Sequence, residues 1–94
     1  MRKITQEVCE AFIKGIKKSI SNTSTDGTSL YLHGNTIAYK DEAKDNSFFI
    51  TSAGWMSNTT KERLNGLPGV QIAQKKGVWY LNGEKWDGFP IKIK

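Results

Sequence analysis

Apolar residues recur at spacings of three and four between residues 5 and 19. Val8, Cys9, Phe12, Ile13, Ile16 and Ile20 fall on one stripe, the pattern of a helix with one buried face. Thr5 stands where an N-cap is expected. Glu7 near the start and Lys17 and Lys18 near the end complement the helix dipole, while Gly15 inside the run costs about 1 kcal/mol relative to Ala. Such a helix depends on packing against the rest of the chain.

Residues 21–28, SNTSTDGT, are small, polar and turn-forming, and read as a connection into a sheet. Residues 29–33 and 36–40 then alternate as two strands joined by Gly34 and Asn35, the two-residue link of a tight hairpin. Counting from that turn sets Leu32 opposite Ile37 and Leu30 opposite Tyr39 on the core face, with Tyr31, His33, Thr36 and Ala38 on the other. A charged turn at 41–46 leads to a third strand at 47–52, whose Phe48, Phe49 and Ile50 predict burial on both faces. Thr59 and Glu62 spell a capping box that opens a short helix, which Gly66, as a left-handed stop, and Pro68 end near residue 65, leaving Leu64 and Leu67 to dock on the sheet.

Residues 70–75 and 78–81 form a second hairpin across Lys76 and Gly77, and Asn82 and Gly83 turn into Glu84, Lys85 and Trp86. This meander places Val70, Ile72, Trp79, Leu81 and Trp86 on one face and Ala73, Val78 and Tyr80 on the other. Phe89, Ile91 and Ile93 alternate with Pro90, Lys92 and Lys94 as an edge strand guarded by lysines. The predicted fold is α+β in a single domain, 1–94. One N-terminal amphipathic helix packs on an antiparallel sheet of five to six short strands, with a short second helix between the strand groups (α-βββ-α-βββ).

Composition narrows the function. A chain of 94 residues buries only about two-thirds of its unfolded surface, so its aromatic residues must supply much of the core and a large internal cavity is not expected. The net charge of +5 favours anionic partners. Only Arg2 and Arg63 are arginine, so any contact with nucleic acid is expected at the phosphate backbone rather than at base edges. A single cysteine and a single histidine provide neither a disulfide nor a zinc cluster, and the expected compartment is a reducing cytoplasm. No signal peptide or membrane span is read in the chain.

Catalytic chemistry finds little footing. His33 at a strand end and Cys9 on the apolar face of the first helix read as a turn-flanking residue and a small buried hydrophobe rather than as a nucleophile and its base. Asp26, Asp41, Glu42, Asp45 and Asp87 read as turn formers, and the spacing matches no calcium loop. Gly66 and Gly69 precede a strand, the wrong setting for a phosphate-binding loop. The expectation is a non-enzyme with no cofactor and no metal.

The remaining signal is basic and aromatic. Lys14, Lys17 and Lys18 lie on the first helix, Lys61 and Arg63 on the second, and Lys75, Lys76 and Lys85 around the meander turns beside Tyr80. With Trp55, which follows Gly54 and is the tryptophan least expected in the core, these residues make a candidate surface for a partner or for nucleic acid. The plainer alternative is that solvent-facing positions are routinely lysine and that Trp55, Trp79 and Trp86 close the core. The first helix is amphipathic, but its apolar face is needed to cover the sheet, so no membrane role is expected.

Residues 23–38, TSTDGTSLYLHGNTIA, and 51–88, TSAGWMSNTTKERLNGLPGVQIAQKKGVWYLNGEKWDG, resemble a family of small proteins encoded in bacteriophage and prophage genomes. The second stretch is the more specific, because capping box, helix stop, hairpin turns and tryptophans come in a fixed order. The resemblance implies a phage accessory protein and brings no catalytic or binding residue with it. By analogy with small phage proteins, it implies stoichiometric binding to a host protein or nucleoprotein complex, with inhibition of a defence system of the anti-CRISPR kind as the candidate activity. Direct binding of nucleic acid through phosphate contact and aromatic stacking is the alternative. A self-assembling role, through the strand at 89–93, stays open.

Overall fold

The first helix is shorter than its periodicity predicts. In the computed structural model, which describes residues 2–41 and 47–93, α1 spans Lys3–Lys14. Arg2, not Thr5, holds the N-cap position, and Gly15 ends the helix at φ 76°. Its N–H reaches the Phe12 carbonyl at 3.2 Å and the Ile16 N–H reaches Ala11 at 2.8 Å, the paired bonds of a Schellman stop. The apolar spacing continues past Gly15, but the backbone has already turned. Ile16 is therefore 54% exposed, and Lys17 and Lys18 lie outside the helix. Thr5, Val8, Cys9, Ala11 and Phe12 make the buried face.

Seven of the nine described strands are joined to a neighbour by a turn of two or three residues. The nine are β1 Lys18–Ile20, β2 Thr23–Thr25, β3 Ser29–Leu32, β4 Asn35–Lys40, β5 Phe48–Ile50, β6 Ile72–Lys75, β7 Val78–Leu81, β8 Glu84–Lys85 and β9 Ile91–Ile93. The second helix, α2, spans Asn58–Leu64. An antiparallel six-stranded sheet runs β1-β2-β3-β4-β5-β9, and β6-β7-β8 form a separate three-stranded sheet. The class is α+β as expected, but five strands precede α2 and four follow it. Residues 21–28, read as a connection, contain β2. Thr23 and Thr25 are buried opposite Leu32 and Leu30, a polar strand that no apolar alternation marks.

The β3–β4 turn falls on His33 and Gly34, at φ 52° and 82°, one residue earlier than the sequence suggests. Leu32 consequently faces Asn35, and a register shift at Leu30/Tyr31 sets Leu30 opposite Ala38. Ile37 and Ala38 are both buried, while Tyr39 turns to the opposite face and stacks on Phe49 at 5.2 Å. The charged turn expected at 41–46 lies, apart from Asp41, outside the described residues. Phe48 and Ile50 are buried, and Phe48 meets Phe12 edge to face at 5.8 Å.

Strand β9 is an edge strand, as expected, but on the large sheet. It pairs with β5, with Ile93 opposite Phe48 and Ile91 opposite Ile50. Of the lysines expected to guard it, Lys92 pairs its Nζ with Asp41 at 2.8 Å, and Lys94 lies outside the described residues. The small sheet follows the expected register, with Ala73, Tyr80 and Lys85 in one row and Ile72 opposite Leu81. Buried residues of both sheets and both helices belong to one hydrophobic cluster.

Helix α2 is capped by Ser57, whose Oγ accepts the Thr60 N–H at 3.2 Å, so the expected Thr59–Glu62 box does not form. Glu62 instead accepts bonds from the Thr5 hydroxyl and from Arg63. Arg63, expected on the surface with the lysines, is only 2% exposed. Its Nε donates to Thr23 Oγ1 at 2.8 Å and its Nη1 to Thr5 Oγ1 at 2.9 Å. A guanidinium removed from water has to be paired and fully hydrogen-bonded, and this one joins α1, β2 and α2. Gly66 is not a left-handed stop. It is small because a Cβ there would stand 2.4 Å from Thr5 Cγ2 and 2.9 Å from Cys9 Sγ, closing α2 tightly on α1.

Two outcomes are expected from these contacts. Arg63→Ala should lower the free energy of unfolding by about 3–5 kcal/mol in denaturant titration, because Glu62 is left without its partner; a loss below about 1 kcal/mol would show that the network does not hold the elements together. Asp26 Oδ1 accepts the N–H groups of Thr28 at 2.9 Å and Ser29 at 2.8 Å, and these bonds, with those from the Thr28 and Tyr31 hydroxyls, lower its pKa from 3.8 to about 2. A carboxyl with a depressed folded pKa stabilises above its unfolded value and loses that contribution as pH falls. Asp26→Asn should therefore flatten the dependence of stability on pH between about 4 and 2, measured by thermal unfolding across that range.

Candidate functional site

The predicted site residues divide into two basic groups and an aromatic loop. At the end of α1, Lys14 Nζ lies 2.7 Å from Glu10 and Lys18 Nζ 3.7 Å from Glu7, with Lys17 exposed between them. Lys40, absent from the sequence-based set, joins this corner with its Nζ 5.5 Å from the centre of the Phe12 ring. Exposed ion pairs of this kind contribute little to stability, but they do cancel charge locally.

The second group lies on the outward face of the small sheet. Lys75 faces Val78, and Lys85 faces Tyr80, so these side chains share one face. Lys76 sits in the left-handed turn beside them. Among the described residues Lys75, Lys76 and Lys85 have no carboxylate within ion-pair distance, and all three are exposed around the half-buried Tyr80. Lys61 extends from α2 to Gln74 Oε1 on β6 at 2.8 Å. Arg63 belongs to the core, as described above, and leaves the site.

Trp55 is 64% exposed, whereas Trp79 and Trp86 are buried at 2% and 6%. Ala53 and Gly54 both take positive φ, 55° and 85°, and turn the chain so that Trp55 projects, with its N–H on the Ser52 carbonyl at 2.9 Å. Left-handed backbone at an alanine is strained and is kept only where surrounding structure enforces it. Here the enforcement is visible. The Thr51 hydroxyl and the Ser52 N–H both donate to the Gly88 carbonyl at 2.9 Å, tying the loop to the segment that carries Phe89. Met56 and Phe89 are 44% and 72% exposed, and a Cβ on Gly88 would stand 3.5 Å from Met56 Sδ, so Met56 lies against the residue that precedes Phe89. Neither was among the predicted site residues. Met56 lies in a polar loop and Phe89 in an apparent strand alternation, so neither carries a local signal of exposure.

Beside this loop is a cleft of about 400 Å³, with the buried Leu32 and Ile37 beneath it and Trp55, His33, Asn35 and Thr59 around it. It opens between the β3–β4 turn and the start of α2. His33 and Cys9 are not brought together. His33 Nε2 lies 3.4 Å from Asn22 Nδ2, while the Cys9 thiol donates to the Arg63 carbonyl at 3.2 Å. Burial pushes the thiol pKa up to about 12, and nearby Glu62 acts in the same direction. No group of three His, Cys, Asp or Glu side chains suited to a metal occurs among the described residues, and no described helix is long and apolar enough to cross a membrane.

A model of the Kyanoviridae Gp96 protein family matches residues 1–92. The chain belongs to that family. The family is a phage protein family, so the resemblance to small phage proteins holds across nearly the whole chain, from the first helix to Lys92 in the terminal strand. Comparison with curated proteins and with solved structures gave no match. The family therefore identifies a phage accessory protein.

The environment of Cys9 makes a direct prediction. Native protein at pH 8 should react with a disulfide reagent only as fast as it opens, and unfolding in denaturant should release one thiol per chain. Rapid stoichiometric labelling of native protein would show that α1 is not seated as described.

Proposed function

We propose that this phage protein acts without catalysis, by stoichiometric binding to a host macromolecular complex in the host cytoplasm. Inhibition of a defence system, of the anti-CRISPR kind, is the activity this reading puts first. The observation that carries it is the projection of Trp55, 64% exposed, from a chain that buries its other tryptophans, with its neighbour Met56 exposed as well. An exposed tryptophan on a small domain marks a candidate interaction site, because tryptophan is among the residues that dominate binding energy. A basic corner at Lys14, Lys17 and Lys18 suits an acidic partner surface and speeds encounter with it.

A specific observation also favours nucleic acid as a second reading. Among the described residues Lys75, Lys76 and Lys85 carry no paired carboxylate; Lys75 and Lys85 share the outward face with Tyr80 and Lys76 sits in the turn beside them, an arrangement suited to phosphate contact with an aromatic neighbour.

Capture of a tagged protein from host lysate, with and without nuclease, separates the two. A protein complex that survives nuclease and is lost by Trp55→Ala with Phe89→Ala, at unchanged thermal stability, supports the first reading. Capture that vanishes with nuclease and is lost by charge reversal at Lys75 and Lys76 overturns it in favour of the second. In that case affinity should fall steeply between about 50 and 200 mM salt.

A further inference from the structure

The cleft beside Trp55 has the composition of a small-ligand site rather than of a packing defect. Its volume of about 400 Å³ falls within the range of small-molecule pockets. Its lining combines an apolar base, one indole, the His33 imidazole and several uncharged polar groups, with no Asp, Glu, Lys or Arg among the described residues. A charged ligand would therefore leave its charge uncompensated in the cleft, which selects a neutral occupant. The indole and the apolar base of Leu32 and Ile37 favour a flat, polarisable group.

The hydrogen-bonding state of the polar lining narrows the ligand further. Ser57 and Thr60 bond to each other at 3.0 Å, and the Ser52 hydroxyl accepts the Gly54 N–H at 3.3 Å, so these groups are already engaged. The Asn35 amide and the Thr59 hydroxyl have no such partner among the described residues. Both edge the cleft, where they offer donors and acceptors to the rim of a ring seated against Trp55. A planar hydrocarbon has no use for such groups. A heteroaromatic ring with donors and acceptors around its edge uses them, and the carboxamide of asparagine matches the paired donor and acceptor of a base edge.

The geometry points to a nucleobase site, in which a base stacks on Trp55 over Leu32 and Ile37 and is read at its edge by Asn35 and Thr59. This site lies apart from the lysine face of the small sheet and needs no phosphate. Its loop is held in place for the task. Ala53 and Gly54 turn the chain at the indole, and the bonds from Thr51 and Ser52 to the Gly88 carbonyl anchor the loop. The site thus goes beyond the proposed binding of a host complex, and the two can fail separately.

The test uses uncharged nucleosides, so that phosphate contact plays no part. Trp55 is the exposed tryptophan, and its fluorescence should be quenched saturably by at least one of adenosine, guanosine, cytidine and uridine, with half-saturation at millimolar concentration. Asn35→Leu and Thr59→Val should each weaken that binding about tenfold while leaving the circular dichroism spectrum unchanged. Trp55→Ala should abolish the transfer of saturation from protein to nucleoside in ligand-observed NMR. Linear quenching without saturation up to about 10 mM for all four nucleosides would overturn the assignment. So would equal competition by benzyl alcohol together with no effect of Asn35→Leu, which would make the cleft a seat for an apolar aromatic side chain.

Discussion

The buried guanidinium of Arg63 is the constraint on which the arrangement of the elements depends. Once this charge is withdrawn from water, its donors need acceptors at fixed positions, and the acceptors come from three places: Thr5 on α1, Thr23 on β2 and the neighbouring Glu62. Hydrophobic burial is indifferent to direction and would let α2 slide over the sheet, whereas forked hydrogen bonds do not. The close approach of Gly66 to Thr5 and Cys9 follows from the same clamp, because it brings the end of α2 against the side of α1.

Helix α2 is consequently a junction despite its single pair of turns. Thr59 and Thr60 face the cleft, Lys61 reaches β6, Glu62 and Arg63 enter the buried network, and Leu64 is fully buried in the core. Consecutive residues of a helix point about 100° apart, so a short segment can address several surroundings at once. The cleft, the small sheet and the first helix are thereby placed in relation to one another by one element.

Much of the fold was legible where local chemistry decides it. The turns at Lys76–Gly77 and Asn82–Gly83 set the register of the small sheet, and the faces counted outward from them place Ile72, Trp79 and Leu81 inside. What escaped depends on distant residues. The threonines of β2 are buried because partners including an arginine forty positions away complete their bonding, so no hydrophobic period announces them. Gly15 as a helix stop competed with an apolar spacing that continued by coincidence, and the spacing was the weaker signal. The surface was read less well than the interior. Trp55 stood out through its loop and Tyr80 through its row, but Arg63 looked like any other helix cation until its partners were known, and Phe89 looked like a strand residue.

Strands β5 and β9 are adjacent in the large sheet, although residues 51–90 lie between them in sequence. Neighbouring strands stand about 4.8 Å apart, so that whole excursion leaves the sheet and returns almost to its starting point. Without it, the large sheet is a plain up-and-down meander, complete in its pairing. The segment bearing Trp55, α2 and the small sheet is in topological terms a guest lodged between two neighbouring strands of a host, tethered at both ends and locked by one arginine. Its loops can change length or sequence without disturbing a single strand pairing of the host, which gives a small phage protein a place to vary its surface while keeping the way it folds.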